Sequence, residues 1–331
     1  MASNSLFQIG RVLTGRRSTY TILKELHRAA TADQSAVYLA IDSFDEKCIV
    51  KSVHGHWRLQ NEAKILNHYQ SKTRHLRPLL DEILPEDPAD PPSIVLRHLD
   101  SELLTESNNK RLTRPEIKQV ARGVLEALRV LHKDGMVHTD VKLDNIFVNY
   151  GEDGKRFSEI QLGDCGGVVH KDSHFAREGH LIGGSTSRSP EALFQLHWGT
   201  PTDVWSFGNA ILSLIHGSNY HQFDPRNEGI MPDHEAYDYT VVKRMYDSFG
   251  PFPPKMKEII ASEDVNVILK FLNDQGPPMK PFERWTTRQI PAADNAFIRR
   301  VLKLDPRDRP SVEEILEDEW FTEESEDTRK P

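Results

Sequence analysis

Cysteine is nearly missing from this chain: Cys48 and Cys165 are the two among 331 residues, and no Cys/His spacing of the zinc type accompanies them. A disulfide-stapled fold is excluded, and a reduced setting inside a cell is the expectation. A long apolar run is lacking too. The opening MASNSLFQIGRVLTGRRSTY has no stretch of signal-peptide length, and nothing later approaches the ~18 apolar residues of a membrane span. A soluble chain with no membrane partner is expected. There is also no basic excess, since 42 Lys and Arg stand against 50 Asp and Glu for a net charge of −8. That balance argues against nucleic acid as a partner.

What is present divides the chain in two. At roughly 100 to 200 residues per domain, this length implies two domains or lobes. Residues 1–17 hold Gly10, Arg11, Gly15, Arg16 and Arg17 without periodic apolar spacing, so a flexible lead-in is expected, with order starting near Ser18. Tyr20 and Ile22, then Val37, Leu39 and Ile41, then Ile49, Lys51 and Val53, alternate with period two between turn-rich segments and predict an antiparallel sheet. Between Trp57 and Tyr69, the positions Leu59, Ala63, Ile65 and Leu66 fit one helical face. Ile94 to Leu96 close the strand-rich part after the proline-punctuated loop 85–92.

After Asp100 helical spacing dominates. Thr113 and Glu116 read as a capping box with Pro115 harmless in the first turn, and Ile117, Val120, Val124, Leu128 and Leu131 recur at steps of three and four up to a stop at Gly135. Further helices are predicted over 203–216, 257–272, 293–303 and 311–318, and the charged end 322–331 reads as a disordered, solvated tail.

The residues that carry chemistry begin just after the helix from Thr113. The stretch His138-Thr139-Asp140-Val141-Lys142-Leu143-Asp144-Asn145 resembles the protein-kinase catalytic loop. Gly163-Asp164-Cys165-Gly166 resembles D-F-G, and Ser189-Pro190-Glu191 resembles A-P-E. Asp203-Val204-Trp205-Ser206-Phe207-Gly208 and the run from Leu304 to Pro310 extend the likeness over roughly 18–321. A lone loop aspartate is ordinarily a cap, and a lone strand lysine a solvated edge. Five motifs in family order are not explained that way.

The resemblance implies a bilobal α+β protein-kinase-like fold, with an antiparallel β N-lobe over 18–99 and a mainly α C-lobe over 100–321. It implies a serine/threonine kinase that moves the γ-phosphoryl group of ATP, with Mg2+, to a protein hydroxyl. Phosphoryl transfer asks the protein for positioning and countercharge. On this likeness Asp140 accepts the hydroxyl proton, and Lys142 neutralises the γ-phosphate and points to serine or threonine. Asp164 and Asn145 hold magnesium through hard oxygen ligands. Lys51 touches the α/β-phosphates and pairs with Glu62, although only eleven residues separate the two. Val37, the gatekeeper Leu96 and Leu99 at the end of the hinge 97–99 line the nucleotide site. Glu191 with Arg309 should form a buried ion bridge, and Asp203 should brace the catalytic loop.

The sequence departs from the family pattern in four places. Ala30, Ala32 and Ser35 stand where the phosphate-covering loop has glycine, which with Asp33 nearby predicts a weak embrace of the phosphates. Ile49 adds bulk beside the adenine site. Thr139 replaces the H-R-D arginine and cannot pair with a phosphorylated activation loop, so activity is expected without phosphorylation of Ser173, Ser185, Thr186 or Ser187. Cys165 replaces an aromatic residue and offers a thiol, although buried cysteines are more often inert. These departures motivate an alternative, a pseudokinase acting as a binding scaffold; a small-molecule kinase of related fold is a third reading. Arg188 to Glu191 and Phe249 to Pro253 resemble the cyclin-dependent, mitogen-activated and SR-protein kinase group. The histidines, His54, His56, His216 and His221 among them, are expected in surface or packing roles rather than on a metal. A monomer acting on a protein substrate is expected, with cytoplasm and nucleus both open.

Overall fold

A computed structural model describes residues 6–28, 35–85, 87, 90–218, 220–276, 278, 281–285 and 290–323. Strands β1 (Val12–Thr14), β2 (Thr19–Arg28), β3 (Ala36–Ile41), β4 (Lys47–Ser52), β5 (Leu79–Ile83) and β6 (Ser93–Arg97) form one sheet in the order β1-β2-β3-β4-β6-β5. Every neighbouring pair is antiparallel. Helix α1 (Trp57–Tyr69) leaves the sheet after β4 and packs back under it through Leu59, Ala63, Ile65 and Leu66, the face read from the sequence.

Period two holds in β3, but the more deeply buried face is the one not anticipated. Ala36, Tyr38 and Ala40 are fully shielded, whereas Val37, Leu39 and Ile41 are half-buried on the side toward the cleft. The reason lies in the lead-in, which from residue 6 onward packs on the sheet. Phe7 and Leu13 are buried against Tyr38, Ala40 and Tyr20, so residues 6–17 roof the outer face of the sheet. The turn 15–17 wraps a carboxylate: Asp81 accepts from the backbone of Arg16 (3.2 Å) and Arg17 (2.8 Å) and from the Tyr20 hydroxyl (3.0 Å). A Cβ on Gly15 would stand 2.3 Å from Asp81 Oδ2, which explains a glycine there.

The remainder is mainly helical. It runs β7 (Ser101–Glu102), α2 (Leu103–Asn109), α3 (Arg114–Lys133), β8 (Met136–Val137), β9 (Ile146–Tyr150), β10 (Phe157–Leu162), β11 (Val169–His170), α4 (His174–Arg177), α5 (Pro190–Leu193), α6 (Pro201–His216), α7 (Tyr237–Phe249), α8 (Glu263–Asp274), α9 (Ala292–Val301) and α10 (Val312–Leu316). α3 is the axis of this part. Its capping box is formed in both directions, and Ile117, Val120, Val124, Leu128 and Leu131 are wholly buried. Three differences from the sequence reading stand out. The helix expected over 257–272 starts at Glu263, because Ser262 caps Val265 N while 254–258 form a 3-10 turn behind Pro253. α2 and α7 were not anticipated. Of the tail, Thr322 and Glu323 are described, and Glu323 is tied down by Arg114 and Lys118; the rest, 324–331, lies outside the described residues.

Two features position the site. β9 pairs with β10 so that Ile146 faces Leu162, which sets Asn145 beside Gly163; the Gly163 N–H donates to Asn145 O at 2.9 Å. The start of α1 meets the turn 165–167 that follows Asp164, through two bonds from the Asn61 amide to Gly166 O (3.1 Å) and Val168 O (2.8 Å).

Candidate active site

The loop from His138 to Asn145 hangs on one buried carboxylate. Asp203 accepts from His138 N (2.7 Å), Thr139 N (2.9 Å) and His132 Nε2 (2.9 Å), the brace expected of it. Thr139 sits in the left-handed region at φ +72°, costly for a β-branched residue and held there because its N–H is bound to Asp203 and its hydroxyl donates to Gly167 O at 3.1 Å. The buried His138 ring bonds Gly163 O at 3.0 Å, a further strap to the Asp164 segment. Thus the position that lacks arginine fastens the loop through its backbone N–H and its hydroxyl.

Asp140, Lys142 and Asn145 converge at the cleft. The Asn145 amide nitrogen donates to Asp140 O (2.8 Å) and Asp140 Oδ2 (2.9 Å), which turns its amide oxygen the other way. Lys142 Nζ stands 3.3 Å from Asp140 and 3.4 Å from Asp144. Burial works against the Lys142 charge, but the two carboxylates outweigh it and raise its pKa. The ammonium is therefore held charged beside Asp140.

Across the cleft, Lys51 reaches from β4 to two acids at once. Its Nζ lies 2.7 Å from Glu62 Oε2 on α1 and 2.6 Å from Asp164 Oδ1. The short connection between strand and helix is no obstacle, because α1 starts six residues after Lys51 and turns Glu62 inward, 1% exposed. Burial opposes charge on both Lys51 and Asp164, but Glu62 and then Asp164 outweigh it at Lys51 and raise its pKa, while Lys51 lowers that of Asp164. Asp164 adopts φ +55°, which aims its carboxylate into the cleft. The donor set of Asp164 and Asn145 is all hard oxygen, which fits magnesium.

The cleft encloses about 670 Å³ and is lined by Val37, Ile49, Lys51, Glu62, Leu96, Leu99, Asn145 and Asp164. Val37, Leu96, Leu99, Lys51 and Glu62 all line it as expected, and the volume lies within the range of small-molecule sites despite the bulk of Ile49. Ser35 lies on its rim, while Ala30, Ala32 and Asp33 fall outside the described residues.

Two contributors were missed from sequence. Asn61, next to Glu62, ties α1 to the segment after Asp164 as described. Arg77 is a buried cation on the cleft wall, stacked 4.2 Å over the Phe147 ring, with Nε donating to Arg97 O in the hinge at 2.8 Å. Burial lowers its pKa to about 10. No motif marks it. Cys165 is fully buried, and burial raises its thiol well above the ordinary range, so it is an inert packing residue rather than a reactive one. Glu191 and Arg309 form the expected bridge, doubly bonded at 2.7 and 2.8 Å with side chains 1% and 0% exposed.

The comparisons agree with this geometry. The protein kinase domain family matches residues 30–321, and the chain belongs to that family. Its curated relatives include the serine/threonine-protein kinase PAK 5 of Rattus norvegicus, 26% identical over 60% of this chain and 24% of that protein. Others are the US3 homolog of varicella-zoster virus, 26% identical over 62% of this chain and 50% of that protein, and STE20 of Candida glabrata, 24% identical over 92% and 28%. The chain thus spans between a quarter and a half of the length of these relatives. None of the three belongs to the cyclin-dependent, mitogen-activated or SR-protein group, so that narrower resemblance gains no support.

Proposed function

We propose that this chain is a protein serine/threonine kinase, transferring the γ-phosphoryl group of MgATP to protein hydroxyls, with an N-lobe ending at Leu99 and a C-lobe over 100–321. The observation that carries the reading is the double pairing of Lys51 with Glu62 and Asp164 in one cleft with Asn145, whose amide nitrogen bonds Asp140 beside Lys142. A non-catalytic scaffold has no use for that complete set. Val37, Leu96 and Leu99 would hold the base, and Lys51 would exchange part of its pairing with Asp164 for phosphate oxygens. Asp164 and the Asn145 amide oxygen would ligate magnesium. When bound, that ion supplies positive charge to the phosphate oxygens. Asp140 accepts the proton of the attacking hydroxyl, while the charged Lys142 beside it meets the negative charge developing on the transferred group. The proton ends on Asp140 Oδ, and the bond from the γ-phosphorus to its bridging oxygen breaks as the new ester forms.

A monomer acting on protein substrates, without nucleic acid or membrane, is the accompanying proposal. No helix among the described residues is long and apolar enough to cross a membrane.

The test is label transfer from γ-labelled MgATP to a serine/threonine peptide library, with Asp140→Asn as the comparison. Transfer is expected from the wild type and a loss of at least ~100-fold in the variant. A folded wild-type protein that transfers nothing at saturating ATP would replace the enzyme reading with the scaffold.

A further inference from the structure

Outside the cleft, the segment after Asp164 carries a second set of donors, of a different chemical kind. His174, Glu178 and His180 bring one ligand-type atom each within 4.8 Å of one another. The Glu178 carboxylate lies between the rings, Oε1 at 2.9 Å from His174 Nδ1 and Oε2 at 3.3 Å from His180 Nε2. A tetrahedron around zinc has edges of roughly 3.3 Å for bonds of about 2.0–2.1 Å, so small rotations of these exposed side chains bring one carboxylate oxygen and the two ring nitrogens onto one ion.

The backbone that presents these donors is fixed by contacts that do not involve the carboxylate. The Ser173 hydroxyl caps α4 by accepting from Ala176 N at 3.3 Å. The chain then turns back at Gly179, whose φ is +65° and where a Cβ would lie 2.1 Å from Gln195 O. His180 N donates to Phe175 O at 3.0 Å, and His180 O accepts the Trp198 indole N–H at 2.9 Å. Both imidazoles lean on the Phe175 ring, with centroids 5.5 and 5.3 Å away. Phe175 itself stacks on Trp57 at the start of α1, 5.4 Å apart and 15° from parallel.

We propose that His174, Glu178 and His180 are a binding site for a zinc-like divalent cation, with water completing the coordination. Two imidazoles and a carboxylate form a ligand set that zinc favours, while magnesium prefers an all-oxygen octahedron and so does not compete. The ion takes the neutral imidazoles through the nitrogens that now face Glu178, and any proton those nitrogens carry is released to solvent. All three side chains are exposed, so the ion enters without any opening of the fold. Capture braces this segment against Trp57 and thereby against α1, the helix that carries Glu62.

Zinc titrated into the full chain near neutral pH, in excess magnesium and against a chromophoric chelator, reads the site without any measurement of turnover. One zinc per chain is expected. The double variant His174→Ala/His180→Ala should lose more than about 100-fold in affinity, because removing only the outer partners of metal ligands already costs 10–100-fold. Cobalt in place of zinc should give visible absorption in the wild type that the double variant lacks. Glu178→Gln, a single change at an exposed position, should weaken binding by a smaller factor and repeats the test on a chain with both histidines, should the double variant melt early. Equal zinc affinity in wild type and variants, or no wild-type binding at about 100 µM free zinc, overturns the proposal.

Discussion

Glu191 and Arg309 are shut away from water, and each supplies what the other lacks: two acceptor oxygens for two guanidinium donors. Removing one charge leaves the other buried and unpaired. Glu191→Gln should therefore cost about 3–5 kcal/mol in urea unfolding, whereas Glu191→Met with Arg309→Met should recover only part of that loss, because the carbonyls of Lys303, Pro201 and Leu304 lose their Arg309 donor. A single variant that unfolds at the wild-type urea concentration would show that water reaches the pair. The residues legible in the sequence were those whose chemistry dictates both type and short spacing: Asp140 with Asn145, then Asp164. Asn61 and Arg77 were illegible because their roles depend on distant carbonyls. The Asn61 amide serves oxygens 105 and 107 positions away.

At the scale of elements, α3 and α6 show what local sequence can and cannot fix. Thr113 accepts from Glu116 N while the Glu116 carboxylate accepts from Thr113 N, so Thr113→Ala should lower thermal stability by about 1 kcal/mol with activity kept. α6 ends at His216, whose ring packs on Tyr220 and Trp285, and burial first, then Arg111, pulls its pKa down to about 4. A base depressed in the folded state is protonated more readily once unfolded, so its contribution is complete above about pH 6.5 and is lost as pH falls toward 4. The full difference would be worth roughly 3 kcal/mol, and screening at this partly exposed ring leaves on the order of 1 kcal/mol. His216→Phe should flatten the melting temperature between those limits, and an unchanged slope would remove His216 as its source. Among the elements, α3 was readable because cap, stripe and stop all agree. α7 was not, although Tyr237, Val241 and Met245 follow at steps of four, because β-branched and aromatic residues fill the same window and dilute the helical signal. In β3 the period was legible and the buried face was not, since Phe7 and Leu13, far along the chain, decide which side is covered.

At the scale of the molecule, the activation segment is tied down by protein groups alone at four carbonyls. The segment 182–189 is held by Arg188 to Ile182 O (2.8 Å) and Gly183 O (3.0 Å), by Asn209 to Thr186 O (2.9 Å) and by Ser206 to Ser187 O (3.0 Å). All four bonds end on backbone carbonyls, which alanine keeps. Ser185, Thr186 and Ser187 changed together to alanine should thus retain turnover within about 10-fold of wild type, and total loss in a folded protein would show that phosphorylation is required. The two-lobed architecture was legible from the switch of period near Asp100, but the bonds joining the lobes at Asn61 and Lys51 have no local signature.

The 118 positions between Glu191 and Arg309 also set an order of events during synthesis. While the chain is emerging, the Glu191 carboxylate has no partner, and burying it alone is prohibitive. Arg114 likewise waits 180 positions for Asp294. The helical lobe therefore closes only after almost all of it has been made, and a ribosome stalled before Arg309 would display a finished N-terminal sheet above an open, chaperone-accessible second half.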